Sequence, residues 1–137
     1  ELDGTQEFTL QKESFLAAES TVSISTKAQN LAKGLFSGEG FFVMRASGVG
    51  QLAISAYGGI HKITLGQGEV KVIDNGHLAA WTSGASFKIE KAAKNIFSSV
   101  ASGEGLVCRF KGPCDIYIQT RNTTSFASWV RRWLPSN

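Results

Sequence analysis

A chain of 137 residues with 42% hydrophobic and 18% charged residues can bury one continuous core without a disulfide or a metal, and is too apolar to be intrinsically disordered. Its formal net charge of +3 comes from 14 Lys and Arg scattered among 11 acids, which excludes a polybasic block as the basis of function. No stretch approaches the roughly 18 apolar residues of a membrane span, and the opening ELDGTQEFTL has neither the charged nor the apolar part of a secretion signal.

Fifteen glycines divide short runs of Val, Ile, Phe, Thr and Ser, which predicts an all-β chain of short strands and tight turns. The segment SFLAAESTVSISTKA (14–28) reads as strand, and QNLAKGLF after it has helical composition for about two turns. SGEG at 37–40 then turns the chain into FFVMRASGVGQLAISA, a predicted β-hairpin centred on Gly48. GGIHKITLGQGEVKVIDNGHLAAW follows as a predicted meander: a strand with Ile60, Ile63 and Leu65, a turn at 66–68, a strand with Val70 and Val72, and Asn75-Gly76 as a type I′ turn. GHLAAWTSGASFKIEKA (76–92) returns to strand, AKNIFSSV is again of helical composition, and a second SGEG at 102–105 leads into LVCRFKGPCDIYIQT, a second predicted hairpin. In TTSFASWVRRWLPSN, Phe126, Trp129, Val130 and Trp133 recur at helical spacing, which predicts a helix over about 125–134 with Ser125 as N-cap and Pro135 as stop. A helix this short needs tertiary packing, so its apolar face is expected to lie on the sheet. The alternatives are a partner protein or a membrane surface, with Trp129, Arg131, Arg132 and Trp133 as contacts.

The two SGEG tetrapeptides mark a longer correspondence. Aligning 37–56 with 102–120 places Arg45 on Arg109, Gly48 on Gly112, Leu52 on Ile116 and Ile54 on Ile118. Upstream, the shared Leu-Ala-Ala brings 14–28 onto 76–92, with Val22 on Phe87 and Ile24 on Ile89. The expected organisation is one domain, 1–137, made of two β repeats (about 8–58 and 63–121) and the C-terminal helix, at a period of about 65 residues.

Turn chemistry accounts for Glu39 and Glu104 as solvated bend residues; a role as paired carboxylates would need the copies to converge beside a base. In CRFKGPC a two-residue turn would place Cys108 and Cys114 on opposite faces of a hairpin, so they are expected as two small buried or half-buried thiols in a reducing compartment. His77 is expected to anchor the turn before it, and His61 to sit in an alternating strand without companion metal ligands. No phosphate-binding loop, zinc-ligand spacing or nucleophile elbow is present, so no catalytic residue, metal or cofactor is expected.

Four stretches together, ELDGTQEFTLQKESFLAA, KGLFSGEGFFVMRASGVGQLAISAYG, VIDNGHLAAW and SGEGLVCRFKGPCDIYIQTRN, closely resemble the family named for altered inheritance of mitochondria, within the superfamily that resembles the tryptophan RNA-binding attenuation protein. The resemblance spans Glu1 to Pro135. It implies repeated β-sandwich units of the short double-stranded β-helix type, commonly in oligomers, with a role in mitochondrial organisation in eukaryotes and no settled activity in prokaryotes. Members typically carry three units about a pseudo-threefold axis. Two are found here, which leaves the first expected upstream of Glu1 and strand edges in need of cover. The location implied is cytoplasmic in a prokaryote and mitochondrial in a eukaryote.

These readings converge on a non-enzymatic, self-associating scaffold or assembly factor: a homo-oligomer, with a protein partner as a further candidate. The other class is a module binding a small ligand or RNA at the seams between repeats or subunits. RNA would need a basic groove with interleaved aromatics, for which Lys62, Lys71 and Arg121 are the candidate polyanion contacts.

Overall fold

A computed structural model describes residues 1–29, 41–91 and 106–135. Both SGEG segments, with Glu39 and Glu104, and the two stretches of helical composition lie essentially outside the described residues.

The described chain forms β1 (Leu2–Asp3), β2 (Phe8–Gln11), β3 (Phe15–Ala18), β4 (Val22–Gln29), β5 (Phe41–Gly50), β6 (Leu52–Ile54), β7 (Ile60–Leu65), β8 (Val70–Asp74), β9 (Leu78–Thr82), β10 (Ser86–Lys91), β11 (Leu106–Lys111), β12 (Cys114–Gln119) and one helix, α1 (Thr123–Arg131). Short 3-10 turns, Lys12–Ser14 and Asn75–His77, join β2 to β3 and β8 to β9. The fold is all-β with a short C-terminal helix, as the glycine-punctuated β-branched runs predict.

A seven-stranded antiparallel sheet runs β1-β5-β2-β9-β12-β7, with β4 also on β5; a second has the order β10-β11-β8, and β3 pairs with β6 in a third. One core lies between the first two sheets, where Leu78, Trp81 and Ile116 meet Ile73, Cys108 and Phe110. The other gathers Leu10, Val22, Ala46 and Ala80, with Ala18, Leu52 and Ile54 of the small sheet packed on it.

Neither predicted hairpin is one. β11 pairs with β10 and β8, whereas β12 pairs with β9 and β7. Likewise β5 pairs with β1, β2 and β4, and β6 with β3. The glycine turns carry the chain across the core from one sheet to another instead of folding it back in plane. Such corners need close backbone approach: Gly48 sits at φ +117° with Thr21 O 2.5 Å from where a Cβ would be, and a Cβ on Gly112 would collide with the Gly66 carbonyl. The predicted meander is also a corner, since β7 joins β12 while β8 joins β11. Asn75-Gly76 makes no type I′ turn. The Asp74 carboxylate accepts from the Gly76 amide (2.7 Å) and closes a 3-10 turn, and Gly76 is not among the glycines at positive φ.

One pairing pattern occurs twice. β2 and β4 flank β5 while β3 pairs β6; β8 and β10 flank β11 while β9 pairs β12. The registers agree residue by residue: Arg45 faces Thr9 and Ser25, and Arg109 faces Val72 and Lys88. Ala17↔Ala53 and Ala18↔Leu52 correspond to Ala80↔Tyr117 and Trp81↔Ile116, with a bulge at Leu16 in one set and at Ala79 in the other. This register moves the sequence alignment. Leu16 corresponds to Ala79 and Phe15 to Leu78, one residue from the Leu-Ala-Ala match; Ile24 corresponds to Phe87, two residues from the expected position. The halves are joined by β2 on β9, with Phe8↔Thr82, Thr9↔Trp81 and Leu10↔Ala80.

Helix α1 starts two residues earlier than expected, because Asn122, not Ser125, is the N-cap: its side chain accepts from the amides of Thr124 (2.8 Å) and Ser125 (3.1 Å). Its apolar face does not lie on the sheet. Phe126 meets the Tyr57 ring edge-on at 6.0 Å, but Trp129 is 56% and Trp133 74% exposed. The single turn of contact at Tyr57 leaves the rest of the stripe without a sheet surface to reach.

Candidate functional site

An open cleft of about 680 Å³ lies where the two halves meet. Thr5, Gln6 and Glu7, just before β2, and Arg45 on β5 line one side; Thr64 and Leu65 of β7, Thr82 to Gly84 at the end of β9, and Pro113 to Asp115 line the other. Strand alternation puts these groups at the rim, since the neighbouring residues of β2, β9 and β12 point into the cores. The Thr9 and Ser83 hydroxyls stand 2.9 Å apart, and the Ser83 amide donates to Glu7 O at 2.8 Å, so backbone and side chain both close the seam.

Arg45 Nε lies 3.3 Å from Glu7 Oε2. Across the cleft the Asp115 carboxylate takes Lys62 Nζ at 2.8 Å and the Thr64 hydroxyl at 2.7 Å. Partial burial, the largest influence on Asp115, pushes its carboxyl up, but the bonds from Lys62 and Thr64 outweigh it and hold the group below the usual carboxylate range. The same bond to Asp115 raises Lys62, whose ammonium also lies 5.9 Å from the centroid of Tyr117. At the wall, burial and then the Asp115 charge push the Cys114 thiol up, so it stays protonated near neutrality. The cleft therefore offers hydroxyls, one guanidinium and the carboxylates of Glu7 and Asp115 to a polar ligand, with no activated nucleophile and no histidine in its lining.

The candidate polyanion residues do not share a face. Lys62 is on β7 in the large sheet, tied to Asp115; Lys71 is on β8 in the three-stranded sheet; and Arg121 follows β12, its amide donating to Tyr57 O at 3.1 Å. Trp129 and Trp133 do come together, their indoles 6.2 Å apart, on α1 and the turn after it, and Arg131 and Arg132 are exposed on the same segment. His77 Nδ1 donates to Gln119 O at 2.8 Å and anchors the turn as expected, while His61 lies on β7 opposite Ile118. Among the described residues no group of three or more His, Cys, Asp and Glu side chains is placed to hold a metal ion. Both cysteines are buried thiols, but because β11 and β12 belong to different sheets, not because a hairpin sends them to opposite faces.

Sequence reasoning missed the cleft, whose polar residues come from five separated segments. The one available signal was the coincidence of Arg45 and Arg109, each beside a glutamate at 3.3 Å (Glu7 and Glu90). It also missed Gln119, which donates to Gly76 O and accepts from the Tyr57 amide, both at 2.9 Å. Among the described residues no helix is long and apolar enough to cross a membrane.

A family described as mitochondrial biogenesis AIM24 matches residues 1–121. An uncharacterised protein of Streptococcus pyogenes serotype M6 is 36% identical over 135 residues, which are 98% of this chain and 54% of that protein. A crystal structure of a Streptococcus pyogenes protein superposes with a TM-score of 0.78 at 34% identity, covering 96% of this chain and 57% of the other. The chain thus spans little more than half the length of these relatives. With the match running from the first strand to the end of β12, the chain belongs to the mitochondrial biogenesis AIM24 family.

Proposed function

We propose that this chain is a non-enzymatic, self-associating β module that serves as a scaffold or assembly factor, built from two copies of one unit (about 8–58 and 63–121) and a helix. The twice-used pairing pattern and its twice-used bulge support the duplication. The observation that carries self-association is apolar exposure at strand edges: Leu16 on β3 and Val70 and Val72 on β8 are exposed, and among the described residues neither strand has a partner on its outer side. Light scattering across a concentration series tests it. Mass should rise above the monomer as concentration increases, and a strict monomer at high concentration overturns the reading. The aromatic stripe of α1, with Arg131 and Arg132, is a second surface suited to a protein partner. We further propose a cytoplasmic location in a prokaryote and a mitochondrial one in a eukaryote, a reading that family membership supports.

The seam cleft favours a second reading, a binding module for a small polar ligand held between Arg45, Ser83 and Asp115. Ligand-induced thermal shifts that vanish in Arg45→Ala would promote it. RNA is the weaker form, because Lys62, Lys71 and Arg121 lie apart and outside the cleft lining; retention at low salt that is lost in Lys62→Ala/Lys71→Ala, with a steep salt dependence, would support it.

A further inference from the structure

Of the two kinds of surface open to the aromatic stripe of α1, the charge of the segment points to a bilayer: we propose that Trp129, Trp133 and Leu134 insert at the headgroup level of an anionic membrane, with Arg131 and Arg132 at its phosphates. The contact lies on the membrane surface without spanning it, and it does not depend on self-association.

The stripe is an aromatic row anchored at one end only. Phe126 meets Tyr57 edge-on at 6.0 Å and stacks on Trp129 at 6.3 Å, and Trp129 reaches Trp133 at 6.2 Å. Exposure climbs along the row, from 51% at Phe126 through 56% at Trp129 to 74% at Trp133, with Leu134 at 59%. Large apolar side chains gathered in this way form a patch that a soluble surface rarely leaves bare. Tryptophan suits the boundary of a bilayer, where its apolar rings and its polar N–H are both satisfied.

Charge makes that bilayer an anionic one. All 11 acids lie at or before Asp115, and residues 1–115 hold as many Lys and Arg as acids, so Arg121, Arg131 and Arg132 carry the whole net charge of +3. None of the three has an ion pair among the described residues. At about 3.6 residues per turn, Arg131 and Arg132 fall off the aromatic row, and a guanidinium on a long apolar stem can bend along the helix to reach phosphates beside it. An apolar face accompanied by unopposed arginines is the pattern of a helix that lies in an interface.

Another β unit would join elsewhere. The two halves meet strand to strand, β2 on β9, and α1 lies outside the repeat: after β6 the chain runs through residues 55–59 straight into β7, with no helix. It also lies past the residues 1–121 that the family match takes in. The open strand edges are therefore the place for a further unit, and the stripe is left for a surface of another kind.

Tryptophan fluorescence and sedimentation with vesicles test this. Two of the three tryptophans are on the stripe and the third, Trp81, is wholly buried, so a change in emission reports the stripe. With vesicles of equal parts phosphatidylglycerol and phosphatidylcholine, emission should move to the blue and the protein should sediment; with phosphatidylcholine alone it should do neither. Arg131→Gln and Arg132→Gln should each weaken binding about fivefold, and Trp129→Ser/Trp133→Ser should abolish sedimentation. The arginine variants alter only exposed charges, so they stay informative if the tryptophan pair folds poorly. Equal binding to both vesicle types, or binding unchanged in the variants, overturns the proposal. Absence of binding to the anionic vesicles overturns it too, and leaves the stripe to a protein partner.

Discussion

The indole of Trp81 stands edge-on to the ring of Phe110, centroids 5.7 Å apart at 68°, and this contact ties the seven-stranded sheet to the three-stranded one. Phe87 completes the cluster, stacked on Phe110 at 5.6 Å and edge-on to Trp81 at 5.1 Å. Both Trp81 and Phe110 are wholly buried, and among the described residues Trp81 Nε1 has no hydrogen-bond partner.

Phe110→Ala should therefore destabilise the fold by about 3–5 kcal/mol through lost burial and a cavity between sheets. Trp81→Phe should cost much less than its volume change implies, because it also removes a buried unpaired N–H worth about 1–3 kcal/mol. Urea unfolding followed by circular dichroism measures both. Equal losses in the two variants would contradict the packing described.

Burial, the larger cause, and the nearby Asp74 charge push the Cys108 thiol up to about 12. Because the thiolate is the reactive form, Cys108 should react with a thiol reagent at pH 8 only as fast as the protein unfolds, while denatured protein titrates at once. Rapid labelling of Cys108 in the folded state, read by mass spectrometry, would contradict its placement.

Asp115 fixes the sign of one pH effect. Its carboxyl lies below its unfolded value, so its contribution to stability is present above the unfolded Asp range near pH 4 and is lost as pH falls through the folded value. The unmodified chain should lose more stability than Asp115→Asn between pH 6 and about pH 2, and the two curves should converge at the acid end. Since the pair with Lys62 is partly exposed, 0.5 M salt should shrink the difference.

For α1, exposure decides. Trp129→Ala should change global stability by no more than about 0.5 kcal/mol, because the indole faces solvent in the isolated chain. Asn122→Ala removes the acceptor for two helix amides and should cost about 1 kcal/mol, seen as reduced helical signal. The reverse order of effects would mean that the aromatic stripe is packed in solution.

The sequence by itself determined the class of structure and much of its inventory. Strand-forming runs between glycines, the amphipathic repeat of Phe126, Trp129 and Trp133, and the turn role of His77 are local properties, set by side-chain geometry within a few residues. Leu52 with Ile116 and Ile54 with Ile118 were legible because alternation preserves apolar phase. Tertiary structure decided where each strand went. A strand, a glycine turn and a strand have the same local signature whether the turn folds back in plane or crosses to a facing sheet, and the links from β5 to β6 and, at Gly112, from β11 to β12 do the second. The bulge at Leu16 and Ala79 likewise slipped the alignment by a residue, since an inserted position has no compositional mark. The seam cleft exists only through pairing between residues about seventy positions apart, and the open β3 and β8 edges through pairings more than thirty apart; long-range pairing is chosen by the burial of the whole core, which no short stretch of the chain encodes.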